Sequence, residues 1–141
     1  MEIRLRHAAS ADAAAIAALL AELGYAATAA QIAERMAATS GDAVVVAEAD
    51  GAVQGVLVLH VAPMLHLPHP VARITALATA AEARGKGIGR RLVEEAASLA
   101  REAGCRTLEL TTARSRDDAH AFYRRLGFRD AALRFHLDLT G

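Results

Sequence analysis

Aromatic residues are scarce, at 4% of the chain, and tryptophan is absent. A core built without them must rest on Ala, Leu, Val and Ile. There is one cysteine, Cys105, which excludes an internal disulfide. There is no excess charge of either sign: Lys plus Arg is 16, Asp plus Glu is 16, and the formal net charge is zero. A nucleic-acid binder shows a basic balance or a basic face, and here only one short cluster is basic, so nucleic acid is excluded as a partner. No apolar run reaches the roughly 20 residues of a membrane-spanning helix. The opening Met1-Glu2-Ile3-Arg4-Leu5-Arg6 alternates like a strand and lacks the apolar centre of a signal peptide. These absences predict no membrane partner and a cytoplasmic chain. The 141 residues fit one domain over 1–141, large enough to bury a core without disulfide or metal staples.

Apolar periodicity supplies the elements. Residues 2–7 alternate as a half-buried strand. Ser10 is expected to cap a helix bearing Ile16, Leu19, Leu20 and Leu23, with Gly24 as its stop. Thr28 caps a second helix to about Ala38. A β-branched run over 43–49, the turn Asp50-Gly51 and a strand from Val53 to Val61 predict a hairpin. All three prolines fall in the loop Pro63 to Pro70. A strand follows over 71–79, then a helix from Gly87 to Ala103 ending at Gly104, a strand over 105–112 and a helix from Asp117 or Asp118 to Leu126. Phe135, Leu137 and Leu139 alternate in the tail, which predicts one or two final strands. The order β-α-α-β-β-β-α-β-α-β implies an α/β domain with a mixed sheet and helices packed on it.

The segment that carries chemistry is Arg84-Gly85-Lys86-Gly87-Ile88-Gly89-Arg90-Arg91, between strand 71–79 and the long helix. Three alternating glycines let the backbone approach a ligand, and the turn feeds a helix N-terminus whose free N–H groups favour phosphate. Arg84, Lys86, Arg90 and Arg91 add positive charge. An ordinary tight loop is the plainer alternative. The ATP-type loop is rejected because no Ser or Thr follows Lys86. A dinucleotide fingerprint has Gly85-x-Gly87, with Glu109 downstream. However, its third position falls on Arg90, and the unit starts too late in the chain for a doubly wound sheet.

Arg84 to Gly89 resembles the acyl-CoA-binding motif Arg/Gln-x-x-Gly-x-Gly/Ala of the GNAT family of N-acetyltransferases. Ala119-His120-Ala121-Phe122-Tyr123-Arg124-Arg125-Leu126-Gly127-Phe128 resembles the family's second segment, ending Phe-Tyr-x-x-Leu-Gly-Phe. The order of elements is similar from end to end. The resemblance implies a mixed, mostly antiparallel sheet flanked by helices and a single N-acetyltransferase domain over 1–141. It implies acetyl-CoA as co-substrate without a metal, and the amine of a small molecule or peptide as acceptor. Backbone groups of Leu77, Ala78 and Thr79 would pair with the pantetheine arm. Gly85, Lys86, Gly87, Ile88, Gly89 and Arg90 would hold the pyrophosphate, with Arg84 and Arg116 as further cofactor contacts. Tyr123 would be the catalytic acid, its phenol giving a proton to the departing thiolate; a packed core tyrosine is the alternative.

The resemblance stops at the base. Many relatives carry a glutamate on the cofactor strand, whereas 71–79 contains no carboxylate. Glu109, His120 and the histidines His60, His66 and His69 are the candidates, with water as the remaining one. A metal held by those three histidines is rejected, because the loop fixes no ligand spacing. Cys105 reads as core. Tyr25, His66 and Arg73 are expected near the acceptor. A homodimer follows by analogy with relatives that pair through late strands. A CoA-binding sensor module without catalysis is the competing reading.

Overall fold

The computed structural model describes residues 1–38, 41–111 and 117–140. The chain divides into two compact units, Met1–Thr111 and Thr112–Gly141. The first unit holds strands β1 (Ile3–His7), β2 (Asp42–Ala49), β3 (Ala52–Ala62), β4 (Val71–Thr79) and β5 (Leu108–Leu110). Its helices are α1 (Ala13–Ala21), α2 (Ala29–Ala38) and α3 (Ile88–Glu102). The sheet runs β1-β2-β3-β4-β5 in spatial order. The first three pairings are antiparallel and only β4 with β5 is parallel. This is the mixed, mostly antiparallel α/β sheet expected from the sequence. It also removes the dinucleotide alternative, which needs a parallel, doubly wound sheet.

Asp50 and Gly51 both take positive φ, 54° and 78°, the backbone that a two-residue hairpin with right-twisted strands requires. Consecutive residues Val45, Val46 and Ala47 on β2, and Val56 and Leu57 on β3, are all buried. The central strands are therefore covered on both faces. One cover is α3, through Ile88, Leu92, Val93, Ala96 and Ala100. The other is α1, through Ala13, Ile16, Ala17 and Leu19. Thr28 caps α2 as expected: its hydroxyl accepts from Gln31 N–H at 3.1 Å, and Gln31 Oε1 accepts from Thr28 N–H at 3.0 Å.

Ser10 does not cap α1. It opens a short 3-10 turn over Ser10–Asp12, and Asp12, at the N-cap position of α1, turns its carboxylate back to accept from Ala9 N–H at 2.7 Å rather than from an N–H of α1. Asp12 is drawn into this place by Arg6 of β1, whose two terminal nitrogens donate to its carboxylate at 2.7 and 2.8 Å. Arg6 Nε donates to Glu48 at 2.6 Å. A serine hydroxyl cannot compete with a charge-assisted fork. The Arg6 hydrogen bonds first, and the Ala9 N–H next, hold the Asp12 carboxyl down at about 2. Its folded value is thus depressed, so its stabilisation is present above the unfolded value near 4 and is lost as pH falls toward 2. We expect Asp12→Asn to lose about 2 kcal/mol at pH 7 and to show a shallower loss of stability between pH 4 and 2. Urea unfolding across that range measures both, and an acid limb as steep as that of the parent chain would remove Asp12 as its cause.

The second unit contains α4 (Asp117–Arg125). Its acidic first turn and basic last turn suit the helix dipole. The tail corrects the sequence reading. Residues 128–140 form no strand, and Leu133, Phe135, Leu137 and Leu139 are 73% to 90% exposed. A period of two marks a segment able to form a strand, but a strand exists only with hydrogen-bonded neighbours. The strand expected over 105–112 also shrinks to Leu108–Leu110; residue 112 lies outside the described residues.

Candidate active site

The site begins where β4 loses a neighbour. Parallel pairing with β5 covers Ala72, Arg73 and Ile74 and ends at Ile74 opposite Leu110. Thr75 is a bulge residue: Val58 pairs Ala76 while Leu59 pairs Ile74. Beyond it, β4 stays paired with β3 to Thr79, but among the described residues no strand pairs with 75–79 on the other side. Ala80 N–H donates to Gln54 O at 2.8 Å, so Ala80 and, by alternation, Ala78 turn their backbone groups to β3. Leu77 and Thr79 turn theirs to the open side. Of the three residues expected along the pantetheine arm, two therefore offer peptide groups there, and Ala78 offers its position only.

The chain leaves β4 through a short 3-10 turn over Ala81–Ala83, whose Ala83 is buried. Arg84 is extended. Gly85 and Gly87 then take φ of +79° and +86°, and a Cβ at either would meet nothing within 4 Å. The glycines answer a backbone requirement, because L side chains rarely adopt these angles. Gly87 is the N-cap of α3, and the first helical bond runs from Arg91 N–H to Gly87 O at 3.0 Å. The N–H groups of Ile88, Gly89 and Arg90 precede that bond and have no acceptor within the helix. Arg84, Lys86, Arg90 and Arg91 are all exposed around them. The open turn, free donors and cations that follow β4 have the chemistry of an anion cradle.

Sequence reading missed the residue that seats this cradle. A Cβ on Gly55 of β3 would lie 2.7 Å from Ile88 Cγ2 and 3.0 Å from Leu92 Cδ1. Gly55 pairs with Thr79, so the first turn of α3 packs directly over the open end of β4. A lone glycine inside an apolar strand was the available signal.

In the second unit, Tyr123 sits between two rings. Its centroid lies 5.3 Å from Phe122 and 5.8 Å from Phe128, both edge-on. Gly127 N–H donates to Arg124 O and Phe128 N–H to Tyr123 O, each at 3.0 Å. This is the Schellman ending, with its apolar contact between Phe128 and Tyr123. The spacing Phe-Tyr-x-x-Leu-Gly-Phe thus has a local cause: it terminates a helix and clamps the tyrosine ring.

The model of the Acetyltransferase (GNAT) family matches residues 11–128. The chain belongs to the GNAT family. Aminoalkylphosphonate N-acetyltransferase of Salmonella typhimurium is 37% identical over 86 residues, 61% of this chain. The chain spans 56% of that curated relative's length. Among solved structures, a provisionally named acetyltransferase from Agrobacterium tumefaciens is 28% identical with a TM-score of 0.86, covering 96% of this chain and 99% of its own. A transcriptional regulator from Bacillus halodurans is 27% identical with a TM-score of 0.82, over 96% and 100%.

The remaining candidates of this GNAT chain can each be placed on their own element. Glu109 is engaged by Arg73 and His60 by Asp42. His66 and Tyr25 are exposed, the latter at 64%. His120 lies half-buried on α4, and Cys105 is free and buried. Among the described residues no group of three or more His, Cys, Asp or Glu is placed to hold a metal. Arg116 lies outside the described residues. A concavity of about 370 Å³ opens beside His7, Met36 and Asp42, two strands from the glycine turn. Its carboxylate makes it unfit for a pyrophosphate.

Proposed function

We propose that this GNAT chain is an acetyl-CoA-dependent N-acetyltransferase that moves the acetyl group directly to the amine of a small molecule or peptide. The carrying observation is the continuity of the free β4 edge with the anion cradle. The pyrophosphate meets the N–H groups of Gly87 to Arg90 and the charges of Arg84 and Lys86. The pantetheine arm then runs back along Leu77 and Thr79, as an added strand would. These two anchors set the direction of the cofactor and bring its acetyl end to the bulge at Thr75. Arg116 is a further phosphate contact in this reading.

The chemistry needs a neutral amine and a protonated leaving group. The arriving ammonium gives one proton to solvent. Its lone pair forms the N–C bond as the C–S bond breaks. The sulfur takes a proton from the Tyr123 hydroxyl, which is restored by the proton the new amide sheds. No metal takes part. The aminoalkylphosphonate relative supports a small-molecule acceptor.

The test mixes purified chain, acetyl-CoA and an amine panel and follows thiol release. Amine-dependent release is the expected result. Coenzyme A binding without release on any amine would favour a sensor module. The reading also includes a cytoplasmic homodimer, supported by the exposed apolar alternation of the tail. A monomer by light scattering would remove the dimer, and recovery outside the cytoplasmic fraction would remove the location.

A further inference from the structure

One row of charged side chains crosses the sheet and has no part in holding the cofactor. Asp42 of β2 pairs in register with His60 of β3, His60 with Arg73 of β4, and Arg73 with Glu109 of β5. Strand alternation puts His60 on the face opposite Gly55, hence opposite α3, and register places its three partners there too. His60 Nδ1 lies 2.6 Å from Asp42 Oδ1. Arg73 Nε and Nη2 donate to Glu109 Oε1 at 3.0 and 2.6 Å. The side chains of His60, Arg73 and Glu109 are about half exposed, at 51%, 51% and 46%. The row lies one ladder step before β4 and β5 separate at Ile74 and Leu110.

The pairing leaves selected atoms unused. Both Arg73 bonds converge on Oε1, so Glu109 Oε2 and Arg73 Nη1 take no part in them. The Asp42 contact uses His60 Nδ1, leaving Nε2. A ligand can therefore add to the row without breaking it. Adjacent strands are about 4.8 Å apart, the scale of an amine and an anionic group joined by two or three bonds. Glu109 Oε2 suits the ammonium; Arg73 Nη1 and His60 Nε2 suit the anion. A neutral amino alcohol leaves the cationic middle unengaged, and a polyamine brings its second charge onto Arg73.

Resting on the transferase reading above, we propose that this row is the acceptor site and that the acceptor is a small zwitterion. It carries a primary amine beside a carboxylate, sulfonate or phosphonate. Arg73 is its specificity residue. The row stands at the bulge where the acetyl end of the cofactor arrives, so the amine docked at Glu109 faces the thioester.

The experiment compares initial rates for aminoethylphosphonate, β-alanine and taurine with those for ethanolamine and putrescine. Charge-assisted bonds to the anion should raise kcat/KM for at least one zwitterion about thirtyfold over ethanolamine. Arg73→Gln should bring that ratio near one by raising KM, with coenzyme A affinity unchanged in calorimetry and the fold unchanged by circular dichroism. Ethanolamine or putrescine acetylated as well as every zwitterion, or a preference that survives in Arg73→Gln, overturns the acceptor proposal and leaves the transferase reading standing. If coenzyme A binds and no amine reacts, the transferase reading falls. Calorimetry of aminoethylphosphonate on the CoA-loaded chain then decides the row: Arg73-dependent binding supports it, and no binding overturns it.

Discussion

Gly87→Glu is expected to weaken coenzyme A binding about a hundredfold or more while the chain stays folded. Gly87 sits at φ +86° with open space where a Cβ would go, so no packed atom must move. The cost to the fold is the left-handed backbone, about 1–2 kcal/mol, against a stability of about 5–15 kcal/mol for a domain. The cost to binding is larger. In the proposed cofactor site a carboxylate at the N-cap stands within a few ångströms of the pyrophosphate, and at 4 Å two like charges near a surface repel by about 4 kcal/mol. It also gives the free N–H groups of Gly89 and Arg90 an acceptor of their own, as capping carboxylates do. Gly87→Asn separates the two effects, because asparagine tolerates the left-handed region and brings no charge. Calorimetry with coenzyme A should rank the parent first, Gly87→Asn second and Gly87→Glu far behind. Unchanged affinity in Gly87→Glu would falsify the phosphate role of the turn.

The reason this turn was legible in sequence is that its cause is local. Gly85 and Gly87 answer to backbone angles, and the helix that follows answers to a period that Leu92, Val93, Ala96 and Ala100 display in one stretch. The hairpin at Asp50-Gly51 and the Thr28–Gln31 cap were readable for the same reason. Where several side chains competed for one place, sequence order misled. Ser10 precedes the α1 pattern as a cap should, but Asp12 takes the N-cap position, and Arg6 from β1 holds its carboxylate. The alternation of Phe135, Leu137 and Leu139 signalled a strand, yet nothing in a single segment supplies the partner that would make it one. Tyr123 stood out through the family resemblance of its segment, and the structure adds that the spacing of that segment serves a helix ending.

Features that join distant parts of the chain were not legible at all. The Asp42–His60–Arg73–Glu109 row exists only because three registers align residues 13 to 36 positions apart. In sequence, Glu109 was a candidate base and His60 one of a loop cluster, and nothing linked them. Gly55 was likewise invisible as a contact, since its meaning comes from Ile88. The proposed cofactor end of the site is thus written in local pattern, and the proposed acceptor end in register.

Tyr123→Phe tests whether spacing or chemistry keeps that tyrosine. The substitution preserves the ring, so both edge contacts, to Phe122 and Phe128, and the Schellman bonds at Gly127 and Phe128 remain. A tyrosine kept for these ring contacts alone therefore loses little, and the rate should hold. A proton donor to the thiolate loses its function outright, and general-acid groups contribute about a hundredfold to ten-thousandfold. We expect kcat to fall at least a hundredfold with KM for acetyl-CoA within about threefold, the signature of an interaction made in the transition state alone. An undiminished rate would return Tyr123 to the helix ending, and solvent would then be the source of the thiol proton.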